Sequence, residues 1–317
     1  MTQQNKMFKN LRFRYADRFV ATYSIVARDP ETGEMGVAVQ SHWFAVGTLA
    51  PWAEAGVGAI ATQALANPMF GQQGLELMKQ EKNAKETLEE LLAEDEGRDF
   101  RQVAVIDTNG HVSAWTGRKC VPEAGHVTGP NFSVQANLML SDTVWPVMAE
   151  TFQNSSGRLA DRMLAALEAA QEARGDIRGK QSAAMLVVKK ETTGKRWKDR
   201  LIDLRVDDHP APLQELKRLL TLHEAYEHMN AGDQAIECDD VVGALREYQA
   251  AQDLFPQNLE MKYWHAVALA NAGRLDEALP IFQSVFTQDN NWKILTPRLL
   301  PNEMLNVKEA ELAQILT

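Results

Sequence analysis

The chain has 317 residues, of which 45% are apolar and 24% charged, and its formal net charge is −10. That length is about twice the ~150-residue prior for one domain, so two compact units are expected, and the composition excludes a disordered or fibrous protein. From Asp208 onward 17 acidic residues face 8 basic ones, so nearly all the net charge lies in the last third. Such a module repels phosphates, which argues against a nucleic-acid partner.

Met1 to Ala21 carries Lys6, Lys9, Arg12, Arg14 and Arg18 among apolar residues, a pattern that fits a basic surface-binding arm. Asn5, Asn10 and Asp17 interrupt any apolar stripe, so a solvated lead-in to the first strand is the preferred reading. No segment approaches the ~18 uninterrupted apolar residues of a membrane span, and the start lacks the short apolar core of a signal peptide. Cys120 and Cys238 are the only cysteines. They read as free thiols in a reducing compartment, so a cytoplasmic protein without membrane partners is expected.

Thr22–Arg28 and Met35–Gln40 flank Asp29-Pro30-Glu31-Thr32-Gly33, a reversal that makes them a hairpin. Val57–Ala64 is a third strand-like run, and Phe70–Gln80 and Asn83–Glu94 follow with helical spacing. The order then repeats. Gln102–Asp107 and His111–Thr116 pair across Asn109-Gly110, where Asn-Gly supplies positive φ angles. Phe132–Leu140 reads as a strand, Met148–Asn154 and Leu159–Ala173 as helices, and Ser182–Lys189 and Arg200–Val206 as closing strands. Strand blocks alternating with helix pairs predict an α+β fold in which two sheets pack together and helices cover their outer faces.

Asp207 to Pro212 marks a boundary, after which the pattern is helical. A shift of 34 residues superposes Ala244 on Ala278, Leu245 on Leu279, Tyr248 on Phe282, Ala251 on Val285 and Gly232 on Ala266. That period resembles two tetratricopeptide repeats, with Gly232, Ala244, Tyr248, Ala251 and Pro256 at the small, aromatic and helix-stopping positions. Leu213–Leu222 and Val307–Leu316 would cap the two ends. The module is expected either to hold a protein partner in a groove lined by Asn230, Asn271 and Lys262, or to join copies into a homo-oligomer.

No Walker loop, dinucleotide glycine motif, His-Glu-x-x-His or Gly-x-Ser-x-Gly occurs. His42, His111, His126 and His209 are scattered without metal-ligand spacing and read as surface or loop histidines, so neither a metal nor a cofactor is expected. Polar residues inside apolar or small-residue runs are candidates to line a cleft: Ser41, His42, Thr62, Gln63, Asn67, Gln135, Asn137, Gln181 and Ser182. Their amides and hydroxyls suit a carbonyl or an oxyanion, or equally a satisfied polar core. Asp176, Arg178 and Gln181 form a polar cluster read as a structural ion pair, with a substrate-carboxylate clamp as the alternative.

The stretches TYSIVARDPETGEMGVAVQS, GVGAIATQALANPMFGQQGLELM, GRKCVPEAGHVTG, and GDIRGKQSAAMLVV followed by LIDLRVDDHP resemble the family called domain of unknown function 1028. The resemblance covers roughly Thr22 to His209. It implies the N-terminal-nucleophile hydrolase fold, a four-layer αββα sandwich over 22–209, with a carboxyl-terminal extension, here the helical 210–317. In that superfamily an amino-terminal Thr, Ser or Cys attacks an amide carbonyl while its own α-amine takes the proton. The matching nucleophile is Thr22, with Ser24 on the same strand face, acting on a small amide or peptide. Gln63, Asn67 or Asn137 would supply the oxyanion and substrate donors. Here 21 residues precede Thr22 and make its nitrogen an amide, so amine catalysis requires cleavage after Ala21. Without cleavage the sandwich is a non-catalytic scaffold for a small ligand or peptide.

Overall fold

A computed structural model describes residues 18–20 and 22–317. The basic lead-in expected over Met1 to Ala21 lies outside the described residues except for Arg18–Val20, which forms a strand rather than a solvated tail. Two compact units are present, Met1–Lys217 and Arg218–Thr317.

The first unit is a mixed α+β structure with two antiparallel sheets. Its strands are β1 (Arg18–Val20), β2 (Thr22–Arg28), β3 (Met35–Ser41), β4 (Pro51–Glu54), β5 (Gly58–Ala66), β6 (Arg101–Asp107), β7 (Val112–Thr116), β8 (Gly125–Gly129), β9 (Phe132–Ala136), β10 (Ser182–Val188) and β11 (Arg200–Val206). One sheet runs β1-β5-β6-β7, with β4 also paired to β5; the other runs β11-β10-β3-β2-β9-β8. Consecutive segments β1 and β2 therefore belong to different sheets. Helices α1 (Met69–Lys79) and α2 (Ala84–Ala93) pack on β4 to β7, while α3 (Val144–Asn154) and α4 (Leu159–Glu172) pack on β2, β3, β8 and β9.

The turns explain the register. Asp29 Oδ1 accepts from the backbone of Glu31 and Thr32 at 2.8 and 2.9 Å, closing the β2–β3 hairpin as an Asx turn. At the β6–β7 turn Gly110 adopts φ +83°, as Asn-Gly turns require, and Asp107 Oδ1 accepts from Asn109 and His111. Between the sheets Val26, Val37, Ala59, Ala61, Ala104 and Ile106 form a dry core whose small residues let the layers approach. Ile60, Phe70, Leu75, Leu88, Leu91, Val103 and Val105 bury the outer face of one sheet beneath α1 and α2.

Two expected boundaries differ, and two strands were not expected. The strand beginning at Phe132 ends at Ala136, because Leu138 takes a left-handed φ of +58° and leaves the ladder. Strands β4 and β8 were outside the sequence reading because each is only four or five residues long and rich in Gly, Pro or polar residues. The helix at Met148 begins earlier, at Val144.

Helix α5 (Pro212–Glu237) leads into the second unit, which continues with α6 (Val241–Leu254), α7 (Leu259–Asn271), α8 (Leu275–Gln288), α9 (Asn290–Leu295) and α10 (Glu309–Ile315). Gly232 is a close approach: a Cβ there would lie 2.7 Å from the Tyr248 ring. Tyr263 and Phe282 are fully buried, and Tyr263 meets Phe282, Trp264 and Trp292 with centroids 4.7–5.7 Å apart. Asn271 donates to the Met304 carbonyl and accepts from Asn306 N–H, fastening the segment before α10. Among the described residues no helix is long and apolar enough to cross a membrane.

The two thiols differ in environment. Burial pushes Cys120 up to about 11, whereas Cys238 is exposed. Alkylation at pH 8 is therefore expected to label Cys238 quickly and the half-buried Cys120 far more slowly. Peptide mapping after a timed iodoacetamide pulse checks this, and equal labelling would contradict the burial of Cys120.

Candidate functional site

The apolar packing between the sheets gives way at one end to amides and hydroxyls. Alternation along β2 puts Thr22 and Ser24 on the face that bears Val26, toward the opposite sheet. Gln63 on β5 and Gln102 on β6 share the inward faces of Ala61 and Ala104. Gln135 on β9 lies opposite Ser24, and Asn137 follows β9. All are buried. Groups so placed cost free energy unless each finds a partner, and they find one another.

Ser24 Oγ donates to Gln63 Oε1 and accepts from Gln135 Nε2, both at 2.6 Å. Gln135 Oε1 accepts from Ser133 Oγ at 2.9 Å. The Thr22 carbonyl accepts from Asn137 N–H at 3.1 Å, Gln63 Nε2 at 3.2 Å and Asn137 Nδ2 at 3.4 Å. Gln102 is the hub: its Oε1 accepts from Gln63 Nε2 at 2.7 Å and Asn137 Nδ2 at 2.9 Å. Its Nε2 is shared among Thr116 Oγ1 and the carbonyls of Gly125 and Ala136, at 2.8–3.1 Å.

Gln102 donates to Thr116, and the Thr116 hydroxyl shares a hydrogen bond with His126 Nδ1 at 2.8 Å. Burial lowers the His126 pKa below 6.5. The chain from Thr22 to His126 is thus uncharged at neutral pH and passes through Gln102 alone. Two of its amides border strained backbone: Ala64, after Gln63, has φ +66°, and Leu138, after Asn137, has φ +58°. Non-glycine residues in this region cost about 1 kcal/mol or more and cluster at functional sites. Asn137 Oδ1 is buried with no partner among the described residues.

The depressed His126 pKa sets a pH dependence. Above about 6.5 the imidazole is neutral in both folded and unfolded chains; as pH falls below that, the unfolded chain takes up a proton that the folded one resists, and stability is lost. Urea unfolding of the first unit is expected to show lower stability at pH 5.5 than at 7.5, with the difference reduced in His126→Gln. An equal difference in that variant would assign the effect to other groups.

The structure joins Thr22, Ser24, Gln63, Gln135 and Asn137 from the candidate set in one network, sets Ser41 in register beside Thr22, and leaves the rest outside it. Thr62 lies on the opposite face of β5, its hydroxyl donating to the Asn67 carbonyl at 3.3 Å, while Asn67 Oδ1 accepts from Met69 N–H at the start of α1. Ser41 is buried in register with Thr22 and Ser182. Ser182 Oγ donates to the Trp43 carbonyl and accepts from Val46 N–H, so it braces a loop. Gln181 reaches Asp208 at 3.1 Å. His42 sits on the Asp176 loop, where Arg178 grips Asp176 through Nη2 at 2.7 Å and Nε at 3.0 Å.

Sequence reasoning missed Gln102, Thr116, Ser133 and His126. Gln102 was discoverable, since it shares the inward phase of Ala104 and Ile106. His126 was set aside as a loop residue because β8 is too short and glycine-flanked to register as a strand.

A model described as a family of unknown function (DUF1028) matches residues 22–216, starting at Thr22. Among solved structures the chain is similar to protein SPO2555 from Silicibacter pomeroyi, of the same family. The two are 31% identical with a TM-score of 0.57, over 63% of this chain and 88% of that one. No curated protein matches.

Proposed function

Since the chain belongs to this family of unknown function, DUF1028, whose match opens at Thr22, we propose that its first unit is an N-terminal-nucleophile amide hydrolase of the αββα sandwich type, held latent by the preceding segment. One observation carries the reading. Thr22 begins a central strand, between the two sheets, with amide donors from Gln63 and Asn137 converging on its carbonyl beside strained backbone.

After cleavage of the Ala21–Thr22 bond, the new α-amine would take the proton from the Thr22 hydroxyl as its oxygen attacks an amide carbonyl. An amide N–H of Asn137 or Gln63 would hold the oxyanion. Collapse of the tetrahedral adduct expels the amine with that proton, and water then hydrolyses the threonyl ester. The second unit, read as tetratricopeptide-like, recruits a protein partner or pairs two copies of the chain in the cytoplasm.

A second reading has its own support. Thr22 is wholly inaccessible and the Gln63 amide already has partners, as a non-catalytic ligand-binding scaffold would. Amino-terminal sequencing and intact-mass measurement of the protein from its native cells separate the two. A species beginning at Thr22 is expected; full-length chain alone would remove the hydrolase and leave the scaffold.

A further inference from the structure

The two sheets are not equally wide. Among the described residues strand β4 is paired to β5 only, and β11 to β10 only. β4 lies over β3 and β10, so β11 extends beyond the facing sheet with no strand of the described residues above it. A cavity of 720 Å³ fills the place where another strand beside β4 would run, and it shares no residue with the Thr22 network. Its size is that of a small-ligand site.

The floor is the inward face of β10. Ala184 packs with Ala50, just before β4, while Leu186 and Val188 pack with Ala55, just after it. β4 therefore runs along the floor from Ala184 toward Val188, a span of four residue steps or about 13 Å.

Charge is distributed along that axis. At the Ala184 end stands Arg205, the register partner of Ala184. Its aliphatic stem lies against Gly47, where a Cβ would fall 2.8 Å from Arg205 Cδ, so packing positions the guanidinium. It has no acidic partner among the described residues. At the other end Glu54 and Glu76 share the single cation Lys79, at 2.8 and 3.0 Å. Arg200 pairs with Asp203, and Asp199 is occupied by the hydroxyls of Thr192 and Thr193, leaving Arg196 as the remaining cation of the rim. Four carboxylates against three cations make this end net negative, and Arg205 makes the other positive.

We propose that the cleft binds a short free peptide, about three residues long, added as an extended strand along the open edge of β4 and over β11. Its carboxylate meets Arg205, its ammonium meets the Glu54 and Glu76 end, and its apolar side chains lie against the cavity's apolar lining, Ala184, Leu186, Val188 and Leu204. The ends of the ligand are recognised by opposite charges, so both must be free. This site does not depend on the Thr22 reading.

Isothermal titration of the full chain with the tripeptide Leu-Ala-Leu tests the assignment. One-to-one binding tighter than about 1 mM is expected. Acetylating the amine or amidating the carboxylate, changes that leave the protein untouched, is expected to weaken it about tenfold or more, as are Arg205→Ala and Glu76→Gln. Arg246→Ala, an exposed arginine of the second unit, should bind as the parent does. No binding of the free tripeptide, equal binding of the doubly capped one, or unchanged affinity in Arg205→Ala would each overturn the proposal.

Discussion

Gln102→Ala is expected to destabilise the first unit by about 3–5 kcal/mol, the largest loss from any single polar side chain in it. Removing this amide strands Gln63 Nε2 and Asn137 Nδ2, which lose their shared acceptor, and strips a donor from Thr116 and from the carbonyls of Gly125 and Ala136. Each buried group left unpaired costs its desolvation, and the vacated volume adds a cavity term. Urea titration of Gln102→Ala beside the exposed control Arg118→Ala measures it. A loss below about 1 kcal/mol would mean that the network relaxes around the gap.

Chain processed to begin at Thr22 is expected to lose amide turnover by about a thousandfold or more on Thr22→Ala, since both nucleophilic oxygen and its ester intermediate disappear. Thr22→Ser should retain activity, because Ser keeps the hydroxyl at the same strand position. Ser24→Ala is the informative comparison. Ser24 links Gln63 to Gln135, whereas the Thr22 carbonyl is held by Gln63 and Asn137, so loss of Ser24 should weaken stability more than turnover. Turnover unchanged in Thr22→Ala would place the chemistry elsewhere.

Both hairpins, the helix pairs and the 34-residue helical period could be read from residue pattern because their signals are local. Asp29 to Gly33 and Asn109-Gly110 demand reversals, and each joins two short strand-like runs that pair across it. The polar network was only half readable. Ser24, Gln63, Gln135 and Asn137 stand out as polar residues within apolar runs, yet their convergence depends on which strand of one sheet faces which of the other. Thr62 and Gln63 show the difficulty: adjacent in sequence, they point to opposite faces, and only tertiary packing decides which one meets Thr22. The cavity beside β4 had no sequence signal, because it arises from unequal sheet widths.

The passage of the chain from one sheet to the other between Val20 and Thr22 bears on the proposed cleavage. Strand β2 is hydrogen-bonded on both flanks, by β3 and β9, whereas Arg18–Val20 is held by three residue pairs at the margin of the opposing layer. A cut at this junction severs no ladder and leaves the new terminus clamped where it was made. Release of Arg18–Val20 would thus be a peeling event at a rim, leaving β2 in its ladder without refolding.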